Sequence, residues 1–181
     1  MTNKPSKPIN LFDCATSQKV IGQDKFLNAF EKILNHGAYC QGPETKELET
    51  KLAAFSNAKY CTSCASGTDA LILPLMAWDV KPGDAVFVSS FTFVASAEAP
   101  VLLGATPIFV DSDPDTYNMD PKDLQRAIDE VKKEGKLNLK AVIAVDIFGS
   151  PCDYDAILKI AHDNGMKVLS DAAQSLSLIH I

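Results

Sequence analysis

Short apolar runs alternate with segments of helical period from residue 57 to residue 171, and this alternation constrains the fold more than any other feature. The runs are Lys59–Cys64, Ala85–Val88, Pro107–Val110, Ala141–Phe148 and Met166–Leu169, most of them β-branched and bounded by Gly, Pro, Ser or Asp. A run that is apolar at nearly every position predicts a strand covered on both faces. Between the runs, Leu124, Ile128 and Val131 predict a helix with Asp120 as N-cap, Pro121 at the first position and Asp123 at the third. Ile157, Leu158 and Ala161 predict another, closed by Asn164-Gly165. A further helix is expected over Thr68–Trp78, where Pro74 costs about 3 kcal/mol or bends the axis. The fold class is therefore α/β, a mostly parallel sheet sandwiched by helices. Two helices precede it. Phe26, Leu27, Phe30, Ile33 and Leu34 form the apolar face of the first, ended by Gly37. Gly42-Pro43 opens the second, with Leu48, Leu52 and Phe55 on one stripe and Glu44 and Glu47 near its positive end.

Composition removes several functions. With 17 basic and 23 acidic side chains the net charge is −6, which argues against a nucleic-acid partner. No apolar run approaches the roughly 20 residues of a membrane span, and Met1–Asn10 is too polar for a secretory signal. A soluble, cytoplasmic protein is expected. Five cysteines, an odd count, fit a reducing compartment and buried thiols. Cys61-x-x-Cys64 has no second pair and no His-x-x-x-His downstream, so no metal site is expected. A redox pair and ordinary apolar positions in a strand both stay open for it. His36, His162 and His180 fall in no triad context, and no G-x-S-x-G occurs.

Three constellations carry chemistry. Ser66-Gly67-Thr68-Asp69-Ala70-Leu71 opens a helix, whose unpaired N–H groups suit a phosphate; plain N-capping by Ser66 explains the same residues without a ligand. No G-x-G-x-x-G or G-x-x-x-x-G-K-[ST] is present. Asp111, Asp146 and Asp171 follow strands, at the edge where open α/β sheets bind ligands. Each can grip a cationic nitrogen, orient a water or cap the next turn. Ser90-Phe91-Thr92-Phe93 follows the second run, and Phe93 suits either the core or a stacking platform.

Taken in order, these motifs resemble the DegT–DnrJ–StrS family of sugar aminotransferases, pyridoxal-phosphate enzymes of fold type I in the aspartate aminotransferase superfamily. The matching stretches begin with His36-Gly37-Ala38-Tyr39, Gly42-Pro43-Glu44, Ser66 to Leu71, and Pro82-Gly83-Asp84. Phe91-Thr92-Phe93-Val94-Ala95, Gly104-Ala105-Thr106-Pro107, Phe109-Val110-Asp111 and Asp171-Ala172-Ala173-Gln174-Ser175 complete the set. The resemblance implies that Gly67, Thr68 and the amide of Asp69 hold the cofactor phosphate and that Phe93 stacks on the pyridine ring. It also implies that Asp171 pairs with the protonated ring nitrogen and that Gln174 lies near the ring hydroxyl. Such a protonated ring is the electron sink of this chemistry.

The implied reaction moves an amino group, typically from glutamate, to a keto group on a nucleotide-linked sugar, within a homodimer. Lys59 to Ala65 looks most like members acting on UDP-linked 3-keto uronic acid sugars. Two alternatives stand beside it: a sugar dehydratase of the same family, with histidine in place of the Schiff-base lysine, and a non-catalytic module that senses a phosphorylated ligand. Ser89 stands where the family commonly has proline, and Ser170 where glutamate usually precedes the aspartate. The Schiff-base lysine is expected beyond Ser175, so no catalytic nucleophile is assigned in this chain. The implied organisation is an extension over 1–20, the amino-terminal part of the cofactor-binding large domain over 21–175, and a non-native tail over 176–181. Leu176 to Ile181 is what the end of a transposase sequencing adapter encodes, and the chain is expected to be an inactive fragment.

Overall fold

The computed structural model describes residues 13–176, in two units that divide after Ser63. Most of the expected 1–20 extension and tail residues 177–181 lie outside the described residues.

The first unit holds α1 (Cys14–Ile21), α2 (Gln23–His36) and α3 (Pro43–Phe55). Gly37, left-handed at φ 65°, stops α2, and Pro43 starts α3, both as the spacing predicts. Glu44 ties the two helices together, meeting Lys32 Nζ at 3.0 Å and His36 Nε2 at 3.1 Å. The Ala38 N–H donates to His36 Nδ1, so a neutral ring carries its proton on Nε2 and donates to Glu44. None of the three helices has a buried residue, and the α2 stripe is exposed at Phe26, Leu27, Phe30 and Leu34. Its amphipathic spacing gives a helix, while none of the described residues of this unit covers the stripe.

No strand forms over Lys59–Cys64, contrary to the expectation from its apolar run. Among the described residues no strand pairs with it, and an extended segment without a partner has no ladder for its N–H and C=O groups. The thiols correct a second expectation. Cys14, Cys40 and Cys64 are exposed, Cys61 is half-buried, and only Cys152 is buried.

The second unit contains α4 (Gly67–Ala77), β1 (Asp84–Ser89), α5 (Ala95–Leu102), β2 (Thr106–Val110), α6 (Pro121–Glu134), β3 (Asn138–Val145), α7 (Tyr154–Asp163) and β4 (Lys167–Asp171). The strands form one parallel sheet in the order β2-β1-β3-β4. β1 is buried at every position, which is why its run reads as continuously apolar. Successive side chains still divide between two cores. Ala85, Phe87, Val142 and Ala144 meet Leu124, Ile128 and Val131 of α6 and Ile157 and Ala161 of α7. Val86, Val88, Ala141, Ile143 and Val145 meet Leu71 and Leu75 of α4 and Ala95 and Ala99 of α5. The connection β1–α5–β2 steps one way across the sheet, and the two later connections step the other way with their helices on the opposite face. That arrangement obeys the right-handed crossover rule and places a topological switch point between β1 and β3.

Local chemistry explains the boundary shifts. β3 starts at Asn138, earlier than its apolar residues, because Asn138 and Lys140 reach Asp84 across the sheet at 3.3 and 3.8 Å. It ends at Val145, where Asp146 turns inward. Asp120 caps α6 through the Lys122 N–H at 2.8 Å, and Gly165 closes the turn after α7 at φ 69°. α4 runs through Pro74 with Ser66 as its N-cap, and α5 likewise contains Pro100.

Candidate functional site

Parallel strands bring all their carboxyl ends to one edge, so Asp111, Ser89, Asp146 and Asp171 line it in the sheet's own order. α4 joins that edge for a geometric reason. Its 11 residues span about 16 Å, close to the roughly 20 Å of β1, and the short link Trp78–Gly83 returns the chain to the start of β1. α4 therefore runs antiparallel to the strands, and its N-terminus lies at their carboxyl end. It packs against α5 and β4 on one face. Asp171 belongs to that face as well, because Leu169, two residues before it, packs into the same core as α4 and α5.

At the α4 N-terminus, the Asp69 N–H donates to Ser66 Oγ at 3.1 Å while Ser66 Oγ donates to Asp69 Oδ2 at 2.9 Å. The cap thus occupies the Asp69 amide, one of the three groups expected to hold a phosphate. The N–H groups of Gly67 and Thr68 precede the intrahelical ladder and point out of the helix end. Gly67 is the informative residue here. Its φ is not in the left-handed region, and a Cβ built on it would meet nothing within 4 Å. Neither backbone geometry nor internal packing requires a glycine, and the space beside the free N–H groups is open. That space fits a phosphate against the backbone.

Asp171, half-buried, accepts from Ser96 Oγ at 3.2 Å on Oδ2 and from the Ala173 N–H at 3.2 Å on Oδ1. Ser96 is 1% exposed and lies 3.1 Å from Thr92 Oγ1, so the loop after β1 and the first turn of α5 fix the carboxylate. Two acceptor positions on Asp171 stay open, enough for one cationic N–H. Phe93 is 72% exposed, which rejects the core alternative and leaves its ring face available beside α5. Gln174 is exposed in the turn that follows Asp171. Gly67, Thr68, Phe93, Asp171 and Gln174 thus belong to one edge.

The other two aspartates take structural roles. Asp111 accepts from its neighbour Ser112 N–H at 2.8 Å, and its own N–H donates to Asp123 Oδ2 at 2.7 Å. Asp146 is buried and accepts from the Cys152 N–H, the Tyr154 hydroxyl and Ser175 Oγ at 2.9, 3.0 and 2.6 Å. Burial, with the Asp146 charge beside it, pushes the Cys152 thiol up to about 12, so it stays protonated and inert at neutral pH. Burial likewise raises the Tyr154 hydroxyl. Sequence reasoning gives Thr92 and Ser175 no role although both lie within matched motifs, and it misses Ser96 and Tyr154, which no motif contains. Ser96 and Asp171 lie 75 positions apart, beyond the reach of any local pattern.

Among the described residues no helix is long and apolar enough to cross a membrane, and no cluster of His, Cys, Asp and Glu is arranged to hold a metal. A profile of the DegT/DnrJ/EryC1/StrS aminotransferase family matches residues 21–180. The chain is 47% identical over 167 residues to the UDP-2-acetamido-2-deoxy-3-oxo-D-glucuronate aminotransferase of Pseudomonas aeruginosa, covering 92% of this chain and 44% of that relative. It is 38% identical over 154 residues to a UDP-N-acetyl-3-dehydro-alpha-D-glucosamine 3-aminotransferase of Acidithiobacillus ferrooxidans, covering 85% of this chain and 40% of the relative. The crystal structure of a DegT DnrJ EryC1 StrS aminotransferase from Brucella abortus superposes with a TM-score of 0.90 at 43% identity, over 93% of this chain and 45% of that one. NtdA from Bacillus subtilis with bound cofactor PMP superposes at 0.74 with 29% identity, over 83% of this chain and 33% of that one. The chain spans less than half the length of each of these proteins. Fold, motif order and family profile agree over nearly the whole of it, and it belongs to the DegT/DnrJ/EryC1/StrS aminotransferase family.

Proposed function

We propose that residues 21–175 are the amino-terminal part of the cofactor-binding large domain of a pyridoxal-phosphate aminotransferase acting on a nucleotide-linked sugar. The observation that carries this reading is the placement of the Gly67–Thr68 turn and Asp171 on one face of the sheet, at one edge. The Gly67 and Thr68 N–H groups bind the phosphate. Phe93 covers one face of the ring, Gln174 lies at the ring hydroxyl, and Asp171, oriented by Ser96, holds a proton on the ring nitrogen. Pyridoxal phosphate supplies the electron sink that lets an amino group pass from donor to acceptor. We assign none of the lysines in residues 21–175 to anchoring it.

The substrate we propose is a UDP-linked 3-keto uronic acid sugar, with glutamate as donor, in the making of a polysaccharide precursor. The name of the Pseudomonas aeruginosa relative, at 47% identity, supports that choice. We further propose a homodimer in the cytoplasm; five cysteines with no disulfide among the described ones suit a reducing compartment. The test is direct. Full-length protein with pyridoxal phosphate, L-glutamate and the UDP-linked 3-keto uronic acid sugar should release 2-oxoglutarate in equal amount to the aminated sugar. Loss of water from the sugar with no 2-oxoglutarate would instead establish the dehydratase.

A further inference from the structure

Asp146 is 1% exposed, immediately follows β3, and has no Lys, Arg or His within ion-pair distance among the described residues. A buried carboxylate without a cation is costly unless neutral donors saturate it. Here three do. Oδ1 accepts from the Cys152 N–H at 2.9 Å and from the Tyr154 hydroxyl at 3.0 Å, and Oδ2 accepts from Ser175 Oγ at 2.6 Å. Its own backbone N–H donates to the Asp171 carbonyl at 3.2 Å, which extends the β3–β4 ladder by one bond.

A carboxylate only accepts, so it fixes the direction of every hydroxyl around it. Ser175 and Tyr154 donate to Asp146. Tyr154 has then spent its one proton, so Ser170 Oγ, 2.6 Å away on β4, donates to Tyr154. Asp146 thereby grips the strand that carries Asp171 at its last residue and, through fully buried Ser175, the far end of the turn that carries Gln174. Inside that turn, Ser175 and Leu176 both donate to the Ala172 carbonyl at 3.0 Å.

We propose that Asp146 is a positioning residue: by holding Ser175 and Tyr154 it fixes the turn from Asp171 to Ser175, and with it the aim of Asp171 and Gln174. The positioning itself is a statement about this chain, whereas its consequence for cofactor binding rests on the function proposed above.

The test uses Asp146→Ala, Asp146→Asn and Ser175→Ala in the full-length protein, with two readouts. One is amide hydrogen exchange at Ser175; the other is the dissociation constant for pyridoxamine 5'-phosphate, which binds without the lysine. The Asp146→Asn variant keeps one side-chain oxygen for Cys152 and Tyr154 and offers its NH2 to Ser175 Oγ. Asp146→Ala should therefore speed exchange at Ser175 at least tenfold and weaken pyridoxamine phosphate at least tenfold. Asp146→Asn should restore both to within about threefold. Where Asp146→Ala does not fold, Ser175→Ala carries the test, with the same direction of change. Exchange within threefold of wild type in Ser175→Ala, or Asp146→Asn as damaged as Asp146→Ala, overturns the proposal. Failure of the wild type to bind pyridoxamine phosphate would instead count against the proposed function, since the exchange rates judge the positioning alone.

Discussion

Asp171→Asn in the full-length enzyme should lower kcat by two to three orders of magnitude and leave the melting temperature nearly unchanged. The fold tolerates the change because Asn is isosteric. Its oxygen can still accept from the Ala173 N–H, and its NH2 can donate to Ser96 Oγ, which then donates to Thr92. Only the charge is lost. Opposite charges about 4 Å apart at an effective dielectric near 20 attract by roughly 4 kcal/mol, or about three pKa units before desolvation is subtracted. With Asp171 ionised, the ring nitrogen of a bound cofactor should keep its proton at neutral pH. With Asn, that proton is lost as pH rises through the neutral range, so the residual activity should increase towards acid pH. A phosphorylated-ligand sensor with no chemistry at this carboxylate would show the same affinity in the variant and the wild type. Steady-state kinetics across pH, with a cofactor titration, separates the two.

Gly67→Leu tests the other end of the site. A side chain at this position meets nothing inside the protein, and the backbone is not left-handed, so the substitution introduces no clash or strain. Leucine also has the better helix propensity, by up to about 1 kcal/mol in a helix interior and less at the first position. Stability should hold or rise slightly. The leucine fills the open space beside the Gly67 and Thr68 N–H groups, however, and a phosphate there loses charge-assisted hydrogen bonds worth roughly 1.5–3 kcal/mol each. Affinity for pyridoxal phosphate should fall by about thirtyfold or more. A variant of unchanged stability and unchanged affinity would move the phosphate away from α4.

The sheet is legible in the sequence because burial on both faces writes itself into consecutive residues, as in β1, where every position is covered. Helix ends are equally open to reading, since Asp120, Pro121, Gly37 and Asn164-Gly165 act through local chemistry alone. Lys59–Cys64 shows the limit. Such a run states a preference, but a strand exists only where a neighbour completes its hydrogen bonds, and none of the described strands does. The stripe of α2 fails in the same way, because spacing fixes which residues share a face and not what covers it.

At the site, each motif carries its own residue: Gly67 from the helix start, Phe93 from the loop after β1, Asp171 from the end of β4. Their common face and edge follow from the topology, which no single motif contains. The groups that aim Asp171 are hidden for a related reason. Ser96 and Ser175 are ordinary serines in sequence, and their function lies in partners 75 and 29 residues away.

One molecule of pyridoxal phosphate should join the N-terminus of α4 to the end of β4. A crystal structure of the full-length protein with the cofactor measures this most directly. The phosphate should accept from the Gly67 and Thr68 N–H groups, with the ring nitrogen of that same molecule at hydrogen-bond distance from Asp171. A cofactor whose phosphate rests on another element, or whose ring nitrogen faces away from Asp171, would contradict the account.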